Sequence, residues 1–304
     1  MAEPTNAFIG FSNSTAELVE RASSSIVSVH GGGRWSTSGI HWRSGVIVTA
    51  EEVLDRDENI RLILPGGREV AASLAGRDPT TDVAVLRFQP DGLPTAAIAS
   101  SASRPGQTVI AVGSHDGTAL AAFGIIAYAG GAWQSMRGGA IDSLIRLDLT
   151  LSPAAEGGAV VDSDGRVIGM TVLGPRRRPL AIPASTIERS IDQLLARGRV
   201  FRGYLGAGLQ TVRRAAASDG SQALNGGHGV LVVSVDPDGP SARAGLLVGD
   251  IIGAWNGKSI KRVRDVMRLL GPESVGTTSI LASCAGARPR RSRLSLVNAP
   301  WRGQ

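Results

Sequence analysis

The stretch from Leu147 to Gly169 decides the fold of this chain of 304 residues. It reads Leu147-Asp-Leu-Thr-Leu-Ser-Pro-Ala-Ala-Glu-Gly-Gly158, then Ala-Val-Val161, and then Asp162-Ser-Asp-Gly-Arg-Val-Ile-Gly169. A loop with one proline and two glycines leads into a short apolar run, and the Ser-Asp-Gly triplet predicts a turn before a second strand. The stretch therefore predicts a loop that holds Glu156, followed by strand, turn and strand.

This loop resembles the nucleophile loop of the HtrA-type, chymotrypsin-like proteases. The positions that match the family pattern are Pro153, Gly157, Gly158, Gly165 and Val167-Ile-Gly169. The family's Gly-Asn-Ser turn, however, reads Ala154-Ala-Glu156 in this chain. The resemblance thus puts Glu156 where the nucleophilic serine belongs.

Two further stretches resemble those that carry the rest of the family's catalytic triad. Residues 48–54 read Val-Thr-Ala-Glu-Glu-Val-Leu, which puts Glu52 in the position of the catalytic histidine. Residues 78–86 read Asp-Pro-Thr-Thr-Asp-Val-Ala-Val-Leu, which keeps the family's aspartate as Asp82. The triad positions are therefore Glu52, Asp82 and Glu156, and these three residues together do not form an intact catalytic triad.

The chemistry of these three positions argues against acyl transfer, which needs a nucleophilic oxygen, a base and an oxyanion hole. A carboxylate is a weak nucleophile towards an amide and an excellent leaving group. Two alternatives stay open. In the first, the chain is an unorthodox serine endopeptidase whose attacking hydroxyl comes from Ser152 or Thr49. In the second, the three carboxylates converge and hold a hard divalent cation such as Mg²⁺, Ca²⁺ or Mn²⁺.

The composition narrows the class of protein. A hydrophobic fraction of 42% with 40 Gly and 15 Pro is typical of a globular chain rich in turns, and no stretch approaches the ~20 apolar residues of a membrane span. The single Cys284 excludes a disulfide within the chain. The first residues contain neither a basic leader nor an apolar run of signal-peptide length, which predicts a cytoplasmic location.

The net charge of +6 is unevenly distributed, with −2 in residues 1–200 and +8 in residues 201–304. Two arginine runs, 176–178 and 288–293, raise the question of nucleic-acid binding. Aromatic residues make up only 4% of the chain, and none lies within these runs, so we expect solvated loops and no nucleic-acid partner. The glycine-rich pieces lack the sequence of a phosphate loop, so no cofactor is predicted.

Short apolar runs separated by Gly, Asp or Pro fill residues 25–183 and predict a mainly β fold. The resemblance implies two six-stranded barrels in a trypsin-like domain over residues 25–198. Residues 1–24 form a lead-in helix, with Ser14 or Thr15 placed to cap it. A closing helix, with its cap at Ser185 or Thr186, is predicted to end before Gly198.

Residues 199–304 resemble the peptide-binding PDZ module that follows the protease domain in this family. The resemblance implies that backbone N–H groups of the opening loop bind a peptide C-terminal carboxylate, while the peptide adds as a strand beside the last helix. The predicted peptide-binding residues are Tyr204, Leu205, Gly206, Ala207, Leu209, Val263, Val266, Met267 and Leu270.

The expected partners are therefore protein or peptide C-termini. Lys261, Arg262, Arg264 and Arg268 lie on or beside the predicted groove helix and favour acidic residues upstream of an apolar C-terminus. The resemblance further implies a homotrimer formed through Phe8 and Phe11, unless these rings pack on their own barrel. We interpret the chain as a non-catalytic scaffold, adaptor or chaperone-like protein, with an HtrA-type serine endopeptidase as the alternative.

Overall fold

The computed structural model describes residues 7–33, 35–90, 92–200, 202–213, 228–271, 274–285 and 288–298. The chain divides into two compact units, residues 1–200 and residues 201–304. Residues 1–6 of the predicted lead-in segment and Phe201 at the predicted start of the second domain lie outside the described residues. Within the described ranges, no helix is long and apolar enough to cross a membrane.

The first unit begins with a closed six-stranded barrel in the order β1-β2-β3-β6-β5-β4. Alternating valine, isoleucine and leucine side chains of its strands fill the interior, and Val27, Ile47 and Leu62 are completely buried there. The strands are Ile26–His30 (β1), Thr37–Arg43 (β2), Val46–Thr49 (β3), Ile60–Ile63 (β4), Glu69–Asp78 (β5) and Val83–Arg87 (β6).

A second closed barrel follows in the order β11-β14-β13-β12-β7-β8, so the predicted double barrel is confirmed. A small hairpin of β9 and β10 interrupts it and lies outside the barrel. The strands are Thr108–His115 (β7), Thr118–Gly130 (β8), Trp133–Gln134 (β9), Ala140–Ile141 (β10), Leu144–Asp148 (β11), Ala159–Val161 (β12), Val167–Gly174 (β13) and Arg178–Pro183 (β14).

Two helices flank the barrels, and both start earlier than predicted. Helix α1 spans Ala7–Ser23, and the Thr15 hydroxyl donates to the carbonyl of Phe11 within the helix instead of capping its start. Helix α2 spans Ala184–Arg197 with Pro183 at its N-cap and no side-chain cap, so the cap predicted at Ser185 or Thr186 is wrong. Gly198 ends α2 in the left-handed region, as predicted.

The second unit is built on one sheet in the order β16-β17-β18-β20-β21, with β19 paired to β18 and a separate pair of β15 and β22. Strand β16 lies at one edge of the sheet. The elements are Gly203–Tyr204 (β15), Ala207–Arg213 (β16), His228–Val235 (β17), Pro240–Arg243 (α3), Ile251–Trp255 (β18), Lys258–Ser259 (β19), Val263–Leu269 (α4), Thr278–Ala285 (β20), Arg288–Ser295 (β21) and Val297–Asn298 (β22).

Candidate functional site

Glu52 lies in a 3-10 turn, Glu51–Val53, that directly follows β3 of the first barrel. Asp82 precedes β6, the strand that pairs with β3, and has a left-handed backbone with φ of 58°. The backbone N–H of Glu52 donates to Oδ1 of Asp82 at 2.9 Å. The fold therefore brings these two predicted positions together, with the carboxylate of Asp82 holding the turn that carries Glu52.

Glu156 lies in the second barrel, after the 3-10 turn Pro153–Ala155 and before Gly157, whose φ is 80°. Its side chain turns inward, is only 9% exposed, and accepts a hydrogen bond from the N–H of Leu173 at 3.0 Å. The carboxyl group of Glu52 interacts with that of Glu156 and contributes to the rise of its pKa. We call Glu52, Asp82 and Glu156 the carboxyl cluster.

Electrostatics in the carboxyl cluster favour bound protons. Burial raises the pKa of Asp82 to about 7, and the neighbouring carboxylates of Glu52 and Glu156 contribute to this rise. Burial likewise raises the pKa of Glu156 to about 7, with a further contribution from Glu52, while the Leu173 N–H and Arg177 oppose it. Both raised pKa values favour bound protons in the cluster near neutral pH.

The sequence reasoning missed Glu51, the residue that anchors the turn. Its carboxylate is buried and lies 3.3 Å from Arg77 and 3.4 Å from Arg137. Burial raises the pKa of Glu51, and the two arginines counteract that rise. The Glu51-Glu52 doublet was the available signal, but only the fold shows that one carboxylate is paired with arginine and the other faces Glu156.

The backbone at the nucleophile position is engaged in local hydrogen bonds. The N–H of Glu156, which would supply an oxyanion donor in the protease mechanism, donates to the carbonyl of Pro153 at 3.2 Å. The N–H of Gly157 donates to the carbonyl of Thr171 at 2.9 Å. The N–H of Glu156 is therefore engaged within the turn and is not aimed at a substrate carbonyl.

Neither neighbouring hydroxyls nor imidazoles replace the missing groups. The Thr49 hydroxyl is fully buried and donates to the carbonyl of Ser38 at 2.7 Å, while Ser152 lies on the exposed side of the turn. His41 is buried, and its two ring nitrogens lie within hydrogen-bonding distance of the Pro94 carbonyl and the Gly45 N–H. These residues leave the carboxyl cluster without an attacking hydroxyl or an imidazole base.

The alternative of a divalent-cation site at the carboxyl cluster does not agree with the geometry. In the part of the chain that the structure describes, no group of three or more His, Cys, Asp or Glu side chains could hold a metal ion. A proton bound by Asp82 or Glu156, whose pKa values are raised to about 7, relieves the repulsion between the carboxylates without a cation.

The second unit contains a rigid loop at the predicted carboxylate-binding position. The carbonyl of Leu205 accepts hydrogen bonds from both the N–H and the hydroxyl of Ser241, at 3.0 and 2.6 Å. The Tyr204 hydroxyl donates to Asp236 at 2.8 Å, and Asp236 N–H donates to the Gly206 carbonyl at 2.9 Å. Within the described residues, the N–H groups of Leu205 and Gly206 donate to no acceptor.

The structure divides the other predicted peptide-binding residues into two sets. Val266 and Leu270 are buried in the core of the second unit and do not face a groove. Leu209 on β16 and Val263 and Met267 on α4 are partly exposed and pack against that core. We call the space between the open edge of β16 and these two helix residues the peptide groove.

Each unit matches a known domain family. Residues 37–170 match the trypsin-like peptidase domain, and residues 203–282 match the PDZ domain. Curated relatives include a probable periplasmic serine endoprotease DegP-like from Brucella suis, 32% identical over 78% of this chain and 47% of its own length. The counterpart from Pseudomonas fulva is 34% identical over 79% of this chain and 50% of its own. The chain thus spans about half the length of these relatives.

Solved structures with the same architecture cover both units. The serine endoprotease from Yersinia pestis superimposes with a TM-score of 0.76 and 26% identity, over 98% of this chain and all of that chain. A variant of the HtrA-type protease AlgW with a tripeptide gives a TM-score of 0.74 and 26% identity, over 94% of this chain and 97% of that chain.

The comparisons also correct one expectation. The relatives are named periplasmic enzymes, which contradicts the cytoplasmic location predicted from the first residues. The double barrel, the PDZ module and their order along the chain agree with both sets of relatives. The chain is a homologue of the HtrA-type serine proteases, with a trypsin-like domain followed by a PDZ domain.

Proposed function

We propose that this protein binds the C-terminal segments of other polypeptides in its peptide groove and does not hydrolyse them. It then acts as a scaffold, adaptor or chaperone-like protein. One observation carries the proposal: Glu156, at the position of the nucleophile, is buried, has a pKa raised to about 7 and uses its own N–H within the turn. The peptide groove keeps an open strand edge at β16.

We further propose that the bound segments end in an apolar residue and carry acidic residues upstream. Val263 and Met267 offer apolar contacts to alternate side chains of an added strand. Lys261, Arg262 and Arg264 are exposed around the start of α4, where they lie close to the upstream part of such a strand. Charge complementarity here mainly affects selectivity and the association rate.

Location and assembly follow from the same family relation. Because the relatives are named periplasmic enzymes, we propose a periplasmic location.

Phe8 is 75% exposed and Phe11 52% exposed on α1, and Phe11 contacts Phe123 of β8 edge-on with ring centroids 5.6 Å apart. We propose that this aromatic surface joins three copies. The mass measured by light scattering should fall to that of one chain in Phe8→Ser/Phe11→Ser and stay unchanged in Met136→Ser.

A second candidate function is a serine endopeptidase of the HtrA type, and the names of the relatives favour it. That activity needs a hydroxyl that attacks the scissile carbonyl and a base that accepts its proton. Thr49 is buried and engaged, so the hydroxyl of Ser152 would have to move into the cleft. The proposed and the second function differ in one measurable outcome, peptide hydrolysis.

One experiment separates the two candidates. The full chain is presented with a library of peptides that have free or amidated C-termini, and casein turnover is followed in the same preparation. We expect binding that requires the free carboxylate and no turnover. Gly206→Ala should weaken the binding, whereas Glu156→Ala should leave it unchanged. Turnover above background that is abolished by Ser152→Ala would overturn the proposal and establish the endopeptidase.

A further inference from the structure

A cavity lies beside the second barrel, where residues of β9, β11 and β14 meet the 3-10 turn Pro175–Arg177. Its volume is about 250 Å³. Arg146, Arg176 and Arg178 line its rim, and the floor is apolar, formed by Trp133, Leu144, Pro175 and Leu180. We call this cavity the arginine pocket.

Several other arginines of the first unit are paired with carboxylates. Arg43, Arg61 and Arg189 each form an ion pair with a carboxylate. In the described part of the chain, no carboxylate pairs with Arg146, Arg176 or Arg178, and the guanidinium of Arg146 instead lies over the Tyr128 ring at 4.5 Å. Three like charges around one cavity repel each other, and a bound anion would relieve that repulsion.

The backbone of the pocket rim is strained in a way that favours a binding role. Arg176 has φ of 60° and ψ of 31°, and Arg177 has φ of 54°, so two consecutive residues with side chains occupy the left-handed region. Non-glycine residues adopt this region at an energetic cost, and such strain is concentrated at functional sites. A glycine at position 176 would remove the cost but also the guanidinium.

The floor of the pocket specifies the rest of the ligand. Trp133 is held in place because its indole N–H donates to the Ser143 carbonyl at 3.2 Å, and Leu144 and Leu180 pack beside it. A purely inorganic anion would leave this apolar floor in contact with water. The volume is small for a drug-sized ligand and suits one ring or a short alkyl group with one anionic group.

We propose that the arginine pocket binds a phosphate monoester whose body is a compact apolar or aromatic group. Guanidinium groups pair bidentately with phosphate oxygens, and a phosphate monoester carries nearly two negative charges at neutral pH. The ligand comes either from solution or from the headgroup region of an anionic lipid. Both sources present the same chemistry to the three arginines.

The test uses the full chain and two probes. Phenyl phosphate binding is measured by isothermal titration calorimetry, and binding to phosphatidylcholine vesicles with and without phosphatidic acid by sedimentation. Phenyl phosphate or the phosphatidic acid vesicles should bind, and inorganic phosphate should bind at least tenfold more weakly than phenyl phosphate. The double variant Arg176→Ser/Arg178→Ser should lose about tenfold or more in affinity for the probe that binds.

A matched control variant and a stability measurement distinguish specific binding in the arginine pocket from non-specific attraction of the anionic probe to a basic protein. Arg290→Ser/Arg291→Ser removes the same charge from the exposed strand β21 and should leave binding unchanged. Arg176→Gly should abolish binding yet raise the melting temperature by about 2–4 °C, because it relieves the left-handed backbone. The proposal is wrong if neither probe binds, if the control weakens binding equally, or if inorganic phosphate binds as tightly as phenyl phosphate.

Discussion

The raised pKa of Glu156 makes the stability of the first unit depend on pH in an unusual direction. The pKa of Glu156 rises from its ordinary 4.5 to about 7 in the folded chain, mainly through burial. The folded state therefore binds this proton more tightly than the unfolded chain does. The resulting stabilisation is fully present below pH 4.5 and is lost as the pH rises through about 7.

The size of this stabilisation follows from the pKa values of Glu156 in the unfolded and the folded chain. A change from 4.5 to about 7 corresponds to about 3 kcal/mol of stability, since one pKa unit is worth about 1.4 kcal/mol. Asp82 titrates in the same range and is coupled to Glu156, so the two contributions do not simply add. Glu156→Gln removes the ionising group and keeps an oxygen that can accept from Leu173.

Scanning calorimetry of the full chain between pH 5 and pH 9 checks this reasoning. At pH 9, Glu156→Gln should be more stable than the parent chain by about 3 kcal/mol, a rise of roughly 6–12 °C in the melting temperature of the first unit. At pH 5 the two should differ little. Glu58→Gln, which changes an exposed carboxylate, serves as the control. Equal melting temperatures at pH 9 would refute the raised pKa of the buried Glu156.

Three further outcomes are expected. Glu52→His/Ala154→Gly/Glu156→Ser should gain casein hydrolysis over the parent chain in a fluorogenic assay, because it restores base, turn and nucleophile together, whereas Glu156→Ser alone should not. Gly206→Ala should weaken peptide binding at least tenfold by calorimetry, because φ is 72° and the added Cβ would lie 3.0 Å from Gly239 and Pro240. Gly76→Ala should destabilise the first unit by about 3 kcal/mol in thermal unfolding, because its Cβ would overlap the Gly198 carbonyl.

The sequence predicted the architecture well because both barrels depend on short, regularly punctuated strands. The strands around Val48 and Val85 are short apolar runs, as expected, and their pairing in the fold brings Glu52 to Asp82. The position of Glu156 was also predicted, since Pro153, Gly157 and Gly158 keep the loop recognisable. Local sequence patterns were sufficient to predict those parts of the fold that depend on turn residues and on the length and spacing of strands.

Features that depend on distant contacts were not predictable. Helix α1 includes residues well before Ser14, where Phe11 packs on β8, and Leu18 packs into the core; these distant contacts have no signal in the sequence before Ser14. The inward direction of Val266 and Leu270 likewise depends on the sheet beneath α4. The left-handed backbone of Arg176 has no sequence signal, because arginine seldom adopts it.

The two glutamates in the former catalytic positions are best understood as one change. The buried carboxyl group at position 156 accepts a hydrogen bond from the N–H of Leu173, and burial together with Glu52 raises its pKa to about 7. A carboxyl group at position 52 therefore favours the protonated form of Glu156 and stands where the family has its imidazole base. Under the proposed function, the cleft is thereby stabilised in a form that performs no acyl transfer. The residues of the peptide groove belong to the second unit, so we propose that binding does not depend on the carboxyl cluster.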